Sequence, residues 1–347
     1  MVVSVSGFGW SGSGAVLDLL REYSDIQIAF DRFNRSVEFL LLADVDGIRD
    51  LEYHLVERPS RISSYLAIQR YLNLVRSFSH YMNLDAIGLL DITEAYLKQL
   101  VDFNLTGSTY HESFEIRPFY TLYNRSVRLI LGNRISRCFI GENTWKRFLY
   151  ENKIRMSVSY SPEDFLQKTK AYLNSIFTVL STDDNKPLVF DQMLPADNPT
   201  FFMKYFDDAR CIAVRRDPRD TYVLAKKVYH SSIPIPVDSV EDFVLFYKKI
   251  VQDTIISDNP KVLNLQFEDL IYSYEVTKAR IEDFLGITQH YHPRSLFNPT
   301  ISANNTQLYK KYTGLEKDIK IIEESLPASL YQFEAKPQIS SINSVVF

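Results

Sequence analysis

Glycine is scarce in this chain, with 11 among 347 residues, about half the usual share of roughly 7%. Cysteine is scarcer: Cys138 and Cys211 cannot build a disulfide framework, and neither stands in a metal-type spacing. No apolar run approaches the ~18 residues that a membrane helix needs. The opening Met1-Val-Val-Ser-Val-Ser-Gly7 has no basic leader and too short an apolar run for a signal peptide. Positive charge is not in excess either. The net charge is −4, so no global field draws the protein onto nucleic acid or anionic lipid. These absences exclude a disulfide-stapled secreted domain, a membrane span and a broadly basic nucleic-acid binder, and predict a cytoplasmic protein.

What is present suffices for a large core. Hydrophobic residues make up 46% and charged residues 24%, ordinary values for a globular chain and far from those of a disordered one. No repeat and no low-complexity linker divides it. Apolar strands are expected at Val2 to Ser6, Ile26 to Phe30, Pro187 to Phe190, Cys211 to Val214 and Val262 to Phe267. Helical patterns run between them, including Arg61 to Tyr81, Ile92 to Phe103, Pro218 to about Val228, Val240 to Ile256 and Glu275 to Leu285. A helix start is expected at Ser161-Pro-Glu-Asp, with Ser161 as its N-cap. Alternating strands and helices predict an α/β fold: a P-loop-like parallel sheet flanked by helices. Residues 1–347 are read as one domain with a large, mainly helical insertion at about 45–160.

The scarce glycine is not evenly spread. Gly7, Gly9, Gly12 and Gly14 stand within eight residues, between a strand and a helix. Glycine permits positive φ and lets backbone N–H groups approach an anion with no Cβ in the way. The helix adds its positive end, and Ser11 and Ser13 add hydroxyl donors. The loop therefore suits a phosphate or sulfate. An NTPase loop reads Gly-x4-Gly-Lys-Ser/Thr. Here Gly7 and Gly12 keep that spacing, but Ser13 stands for the lysine and Gly14 for the magnesium-binding hydroxyl, which disfavours Mg-nucleotide chemistry. A dinucleotide reading of Gly7, Gly9 and Gly12 lacks a convincing ribose acid.

A second motif, Arg215-Arg-Asp-Pro-Arg-Asp220, follows the strand at Cys211. Asp217 can cap the next helix, Pro218 suits its first position, and Asp220 can complete the cap. Arg215 and Arg216 then stand at the carboxyl end of a parallel strand, where open α/β sheets bind ligands. Residues 215 to 227 carry five basic and two acidic groups, so an arginine held there can grip a phosphate. The competing reading is a structural Arg–Asp pair that organises the turn.

The two motifs together resemble the sulfotransferase superfamily, which uses 3′-phosphoadenylyl sulfate, and within it the bacterial, carbohydrate-type branch. Trp10-Ser-Gly-Ser-Gly14 occupies the place of the family's 5′-phosphosulfate loop, and Arg216-Asp-Pro-Arg-Asp220 that of its 3′-phosphate motif. Val262 to Leu270 and Phe284-Leu-Gly-Ile287 look like the family's strand ending in Glu-Asp-Leu and its helix ending in Phe-Leu-Gly. The resemblance spans residues 3 to about 287. It implies that Gly9, Trp10, Ser11, Gly12, Ser13, Gly14 and Arg216 bind the donor, 3′-phosphoadenylyl sulfate, with no metal. It implies as well that Glu38 or Asp31 takes the proton of a hydroxyl acceptor on a carbohydrate or glycolipid.

Two positions depart from the family pattern. The basic residue before Ser-Gly is Trp10, and the serine expected eight positions after the 3′-phosphate arginine is Leu224. Sulfuryl transfer builds negative charge on the leaving phosphate, which fixed donors must stabilise. Arg215, Lys226, Lys227, Lys310 and Lys311 are candidates for the missing cation. His111 and Glu112 are a second acid–base pair. A non-catalytic nucleotide-binding relative and a divergent P-loop kinase are the alternatives. The many aromatic residues (22 Tyr, 23 Phe) suit sugar stacking, and core packing better.

Overall fold

Val3 and Val5 face one side of the first strand and Ser4 and Ser6 the other, and this period of two sets the layers. The computed structural model describes residues 1–30, 33, 35–43, 45–84, 87–107, 118–142, 144–149, 154–230, 235–252 and 258–333. Among them five strands form one parallel sheet in the order β2-β5-β1-β6-β7. These are β1 (Val2–Gly7), β2 (Gln27–Ile28), β5 (Leu188–Asp191), β6 (Ala209–Arg215) and β7 (Val262–Gln266). A separate antiparallel pair joins β3 (Phe103–Gly107) to β4 (Ile154–Val158).

In the centre, β1 pairs with β5 in the register Val5↔Asp191 and with β6 in the register Gly7↔Val214. The chain leaves β1 toward β2 on one flank and crosses from β5 to β6 on the other. The carboxyl end of β1 is thus a topological switch point, the crevice where open α/β sheets take ligands.

Alternation divides the core between the sheet's faces. Val3, Val5, Val189, Ile212 and Val214 pack with Val16 and Leu17 of the helix Ser13–Leu20 (α1) and with Ile281 of the helix Tyr274–Leu285. Phe190, Cys211 and Ala213 face the other side, against Tyr71, Tyr96 and Tyr172 of the helices Arg61–Tyr81, Leu89–Leu100 and Phe165–Leu180. These tyrosines are buried in the core, and Tyr96 stacks on Tyr172 at 4.3 Å. A third cluster joins Tyr222, Leu224, Phe243 and Ile322.

Two local expectations are corrected. The helix expected from Ser161 begins at Phe165, because Ser161 and Asp164 take left-handed conformations (φ 51° and 55°) and Asp164 precedes it without a side-chain cap. Phe103 opens β3 and does not end a helix. The stretch 45–160 therefore holds a two-stranded sheet as well as helices. Among the described residues no helix is long and apolar enough to cross a membrane.

Candidate functional site

The β1–α1 loop winds through left-handed backbone at Gly9 (φ 83°), Trp10 (φ 49°) and Gly12 (φ 90°). A Cβ on Gly12 would run into the Phe267 ring, so only glycine fits the turn. At Gly14 a Cβ would meet open space. Left-handed backbone is costly for tryptophan, on the order of 1–3 kcal/mol. Two contacts hold Trp10 there: its indole stacks on Tyr229 (3.7 Å between centroids, 10° between planes), and its carbonyl accepts a hydrogen bond from the Arg216 guanidinium at 3.3 Å.

The inner side of the loop is pinned to β5. Gln192 accepts from Gly7 N at 3.0 Å and donates to Ser13 Oγ at 3.1 Å. Ser11 Oγ accepts from Phe8 N at 3.2 Å. Each serine oxygen thus takes one internal bond and still has its own proton to donate.

The Arg-Asp-Pro-Arg-Asp stretch resolves into distinct duties. Asp217 caps the helix Pro218–Val223, accepting from Arg219 N at 2.8 Å. Its carboxylate also takes a fork from the Arg219 side chain (3.0 and 2.6 Å), whose remaining arm reaches Glu323 at 2.9 Å. The structural Arg–Asp pair therefore exists, and it is Arg219 with Asp217. Asp220 does not complete the cap; it accepts from Gln307 N at 2.7 Å and Tyr309 N at 3.4 Å, tying down a later loop.

Arg216 is buried beneath the glycine loop, against the Phe267 ring and bonded to the carbonyls of Trp10 and Asn305. Burial lowers its pKa, while Asp220, Glu268 and Asp217 favour its charge. Burial in turn pushes Asp220 up to about 6 and Glu268 up to about 7, each partly offset by Arg216.

Arg215 lies beside Arg216 in the cleft lined by Phe8, Gly9, Ser11 and Thr221. The space there is about 10 Å³, room for roughly one water. Three buried N–H donors in this region have no partner among the described residues: Trp10 Nε1, Arg215 Nε and Arg216 Nε. An orphaned buried donor is costly, about 1–3 kcal/mol each. Three of them about one glycine loop and helix start have the chemistry of an anion site. Of the other cation candidates, Lys226 is bonded to Asp318 and Lys310 to Gln307. Lys311 bonds the Asn304 carbonyl, and burial lowers its pKa. Leu224 is core.

The opposite side of β1 is acidic. Glu38 bridges in parallel to Asp191, with Phe39 N donating to the Asp191 carbonyl at 2.9 Å. Burial first, and the Glu38 charge second, push the Asp191 carboxyl up to about 7 against hydrogen bonds from Gln192 and Ser36, and its Oδ1 is buried with no partner among the described residues. Asp191 is the residue that sequence reasoning missed. The only trace of it was an acid closing the apolar run Leu188-Val-Phe190. Asp31, His111 and Glu112 lie outside the described residues. Among the described residues no three His, Cys, Asp or Glu side chains are grouped to hold a metal.

No protein-family model and no curated protein matches the chain. Among solved structures it is similar to the sulfotransferase domain of the Synechococcus PCC 7002 olefin synthase. That match has 13% identity over 96% of this chain and 95% of that one, with a TM-score of 0.41. It is also similar to the sulfotransferase domain of the curacin biosynthetic pathway (15% identity, 95% and 98% covered, TM-score 0.39) and to sulfotransferase STF1 of Mycobacterium tuberculosis H37Rv (14%, 94% and 76%, 0.36).

Proposed function

We propose that the chain transfers a sulfuryl group from 3′-phosphoadenylyl sulfate to a hydroxyl, on a carbohydrate or glycolipid acceptor, by in-line displacement. The observation that carries this reading is the set of three unpartnered buried donors, on Trp10, Arg215 and Arg216, about the β1–α1 loop. Trp10 and Arg216 stand at the two motif positions of the sequence resemblance, Trp10 with a changed residue type, and the resemblance alone supplies the identity of the donor and the acceptor class.

In this reading Gly9, Gly12 and Gly14 leave the loop open to the 5′ end, where Ser11 and Ser13 donate hydroxyl protons. Arg216 receives the 3′-phosphate through Nε. Arg215 takes the charge-stabilising duty that Trp10 cannot perform, since an indole N–H donates a hydrogen bond but carries no charge. The acceptor oxygen attacks sulfur, the bond from sulfur to the bridging phosphate oxygen breaks, and the electron pair leaves on that phosphate. The acceptor's proton passes to the Glu38–Asp191 pair, because a carboxyl titrating near neutrality is suited to general-base work.

Titration calorimetry with 3′-phosphoadenosine 5′-phosphate and with Mg-ATP tests the reading. Binding of the bisphosphate is expected. Heat from Mg-ATP with none from the bisphosphate overturns it in favour of a kinase. A second reading, a nucleotide-binding protein without transfer activity, is favoured by Trp10 at the cationic position and by Arg216 spending two of its arms on carbonyls. It predicts bisphosphate binding without sulfuryl transfer to any hydroxyl acceptor in a panel.

A further inference from the structure

Away from the sheet's carboxyl edge, the helices Pro118–Ile130 and Arg134–Ile140 and the turn Thr144–Phe148 invert the usual distribution of side chains. Among their described side chains only Val127 is buried. Leu122, Leu129, Ile130, Ile135 and Phe139 are exposed, Ile135 to 73% and Phe139 to 87%. In the first helix Leu122, Tyr123, Leu129 and Ile130 recur at i, i+1, i+7 and i+8, which is one face at helical period. That face meets no core of its own. Concentrated exposed apolar surface marks an interaction site.

Charge indicates what covers it. From 118 to 149 there are six basic residues (Arg125, Arg128, Arg134, Arg137, Lys146, Arg147) and one acid, Glu142. That is +5 in a chain whose total is −4. In the first helix Arg125 falls on the flank beside the apolar face, where a long side chain can reach outward past buried apolar groups, and Arg128 lies further round. A second copy seated face to face would set +5 against +5. A negatively charged surface that also accepts apolar side chains suits the element better, and the headgroup boundary of an anionic bilayer is such a surface.

We propose that residues 118–149 are a membrane-docking element that seats the protein on bilayers rich in anionic phospholipid. Leu122, Leu129, Ile130, Ile135 and Phe139 enter the headgroup–acyl boundary, while the element's net positive charge draws it to lipid phosphates, with Arg125 nearest them on the first helix. The protein lies on the membrane and does not cross it. The proposal is independent of the sulfuryl-transfer reading, since it rests on another surface and other residues.

The full chain is tested by sedimentation with phosphatidylcholine vesicles, with and without phosphatidylglycerol. Binding at least tenfold tighter to the anionic vesicles is expected, weakening as salt screens the arginines. The double substitution Ile135→Asp/Phe139→Asp should weaken binding at least tenfold without lowering the melting temperature, because neither side chain is buried. Cys138 is exposed on the same element and Cys211 is buried, so an environment-sensitive dye on Cys138 should shift to the blue with anionic vesicles. Failure to bind either vesicle, or equal binding by the double variant, overturns the proposal. So does a dimer in solution that the same substitutions dissociate, which would make this face an interface between copies.

Discussion

The two sides of β1 carry opposite electrostatics. Toward β6 and β7, Arg215, Arg216 and Arg219 stand among Asp217, Asp220 and Glu268, and most carboxylate oxygens there have a named donor. Toward β5 and β2, Asp191 and Glu38 face each other, and neither has an ion pair to a described residue. The cationic side has spare N–H donors, and the acidic side has a spare carboxylate oxygen. The proposed transfer assigns the anion to the first side and the acceptor's proton to the second.

The largest expected effect tests the cationic side. Arg216→Ala leaves Asp217, Asp220 and Glu268 around an empty site and should cost ~3–5 kcal/mol in urea denaturation, as when one partner of a buried charge cluster is removed. Gly12→Ala comes next. It combines φ 90° with the Phe267 ring, and a loss of ~1–3 kcal/mol is expected in the same measurement.

Arg215→Ala separates binding from stability. Calorimetry should show bisphosphate affinity falling about tenfold to a hundredfold, the loss of a charge-assisted hydrogen bond worth ~1.5–3 kcal/mol. The melting temperature should hold or rise, because burial already lowers the pKa of this arginine. If affinity is unchanged, Arg215 is not the anion ligand and the contrast between the two sides weakens.

The smallest effect reads the acidic side. Asp191 has a folded pKa of about 7 and a reference value of 3.8, so the folded protein holds this proton more tightly than the unfolded chain does. Stability is then withdrawn as pH rises from about 4 to about 7. Asp191→Asn should raise the melting temperature at pH 8 and leave it unchanged at pH 4. In the transfer reading, wild-type activity climbs through pH 7, and the variant loses that limb of the profile.

Much of the frame was legible because its signals are local. Arg61–Tyr81 is a helix over the expected span, and Gly286 closes the helix Tyr274–Leu285 in the left-handed conformation that favours glycine. Asp217 caps and Pro218 starts their helix as the turn chemistry requires. What was not legible depends on partners distant in sequence. β3 and β4 pair across about fifty residues, and nothing in Phe103–Gly107 names its partner. Asp191 looks like any strand-ending acid until Glu38 and burial act on it. Arg216 was legible as a basic residue at a strand's carboxyl end, but its bonds to the Trp10 and Asn305 carbonyls come from a loop 206 residues back and another 89 residues on.

The central place of β1 has a consequence for the chain during its synthesis. Its neighbours β5 and β6 begin at Leu188 and Ala209. At roughly 5–20 residues per second, the first strand waits on the order of 10–40 s for a partner after it is made. Until then its backbone groups and Val2, Val3 and Val5 have no sheet to enter. Pairing so distant along the chain is intrinsically slow, so the segment that carries the glycine loop is made well before it reaches its final surroundings.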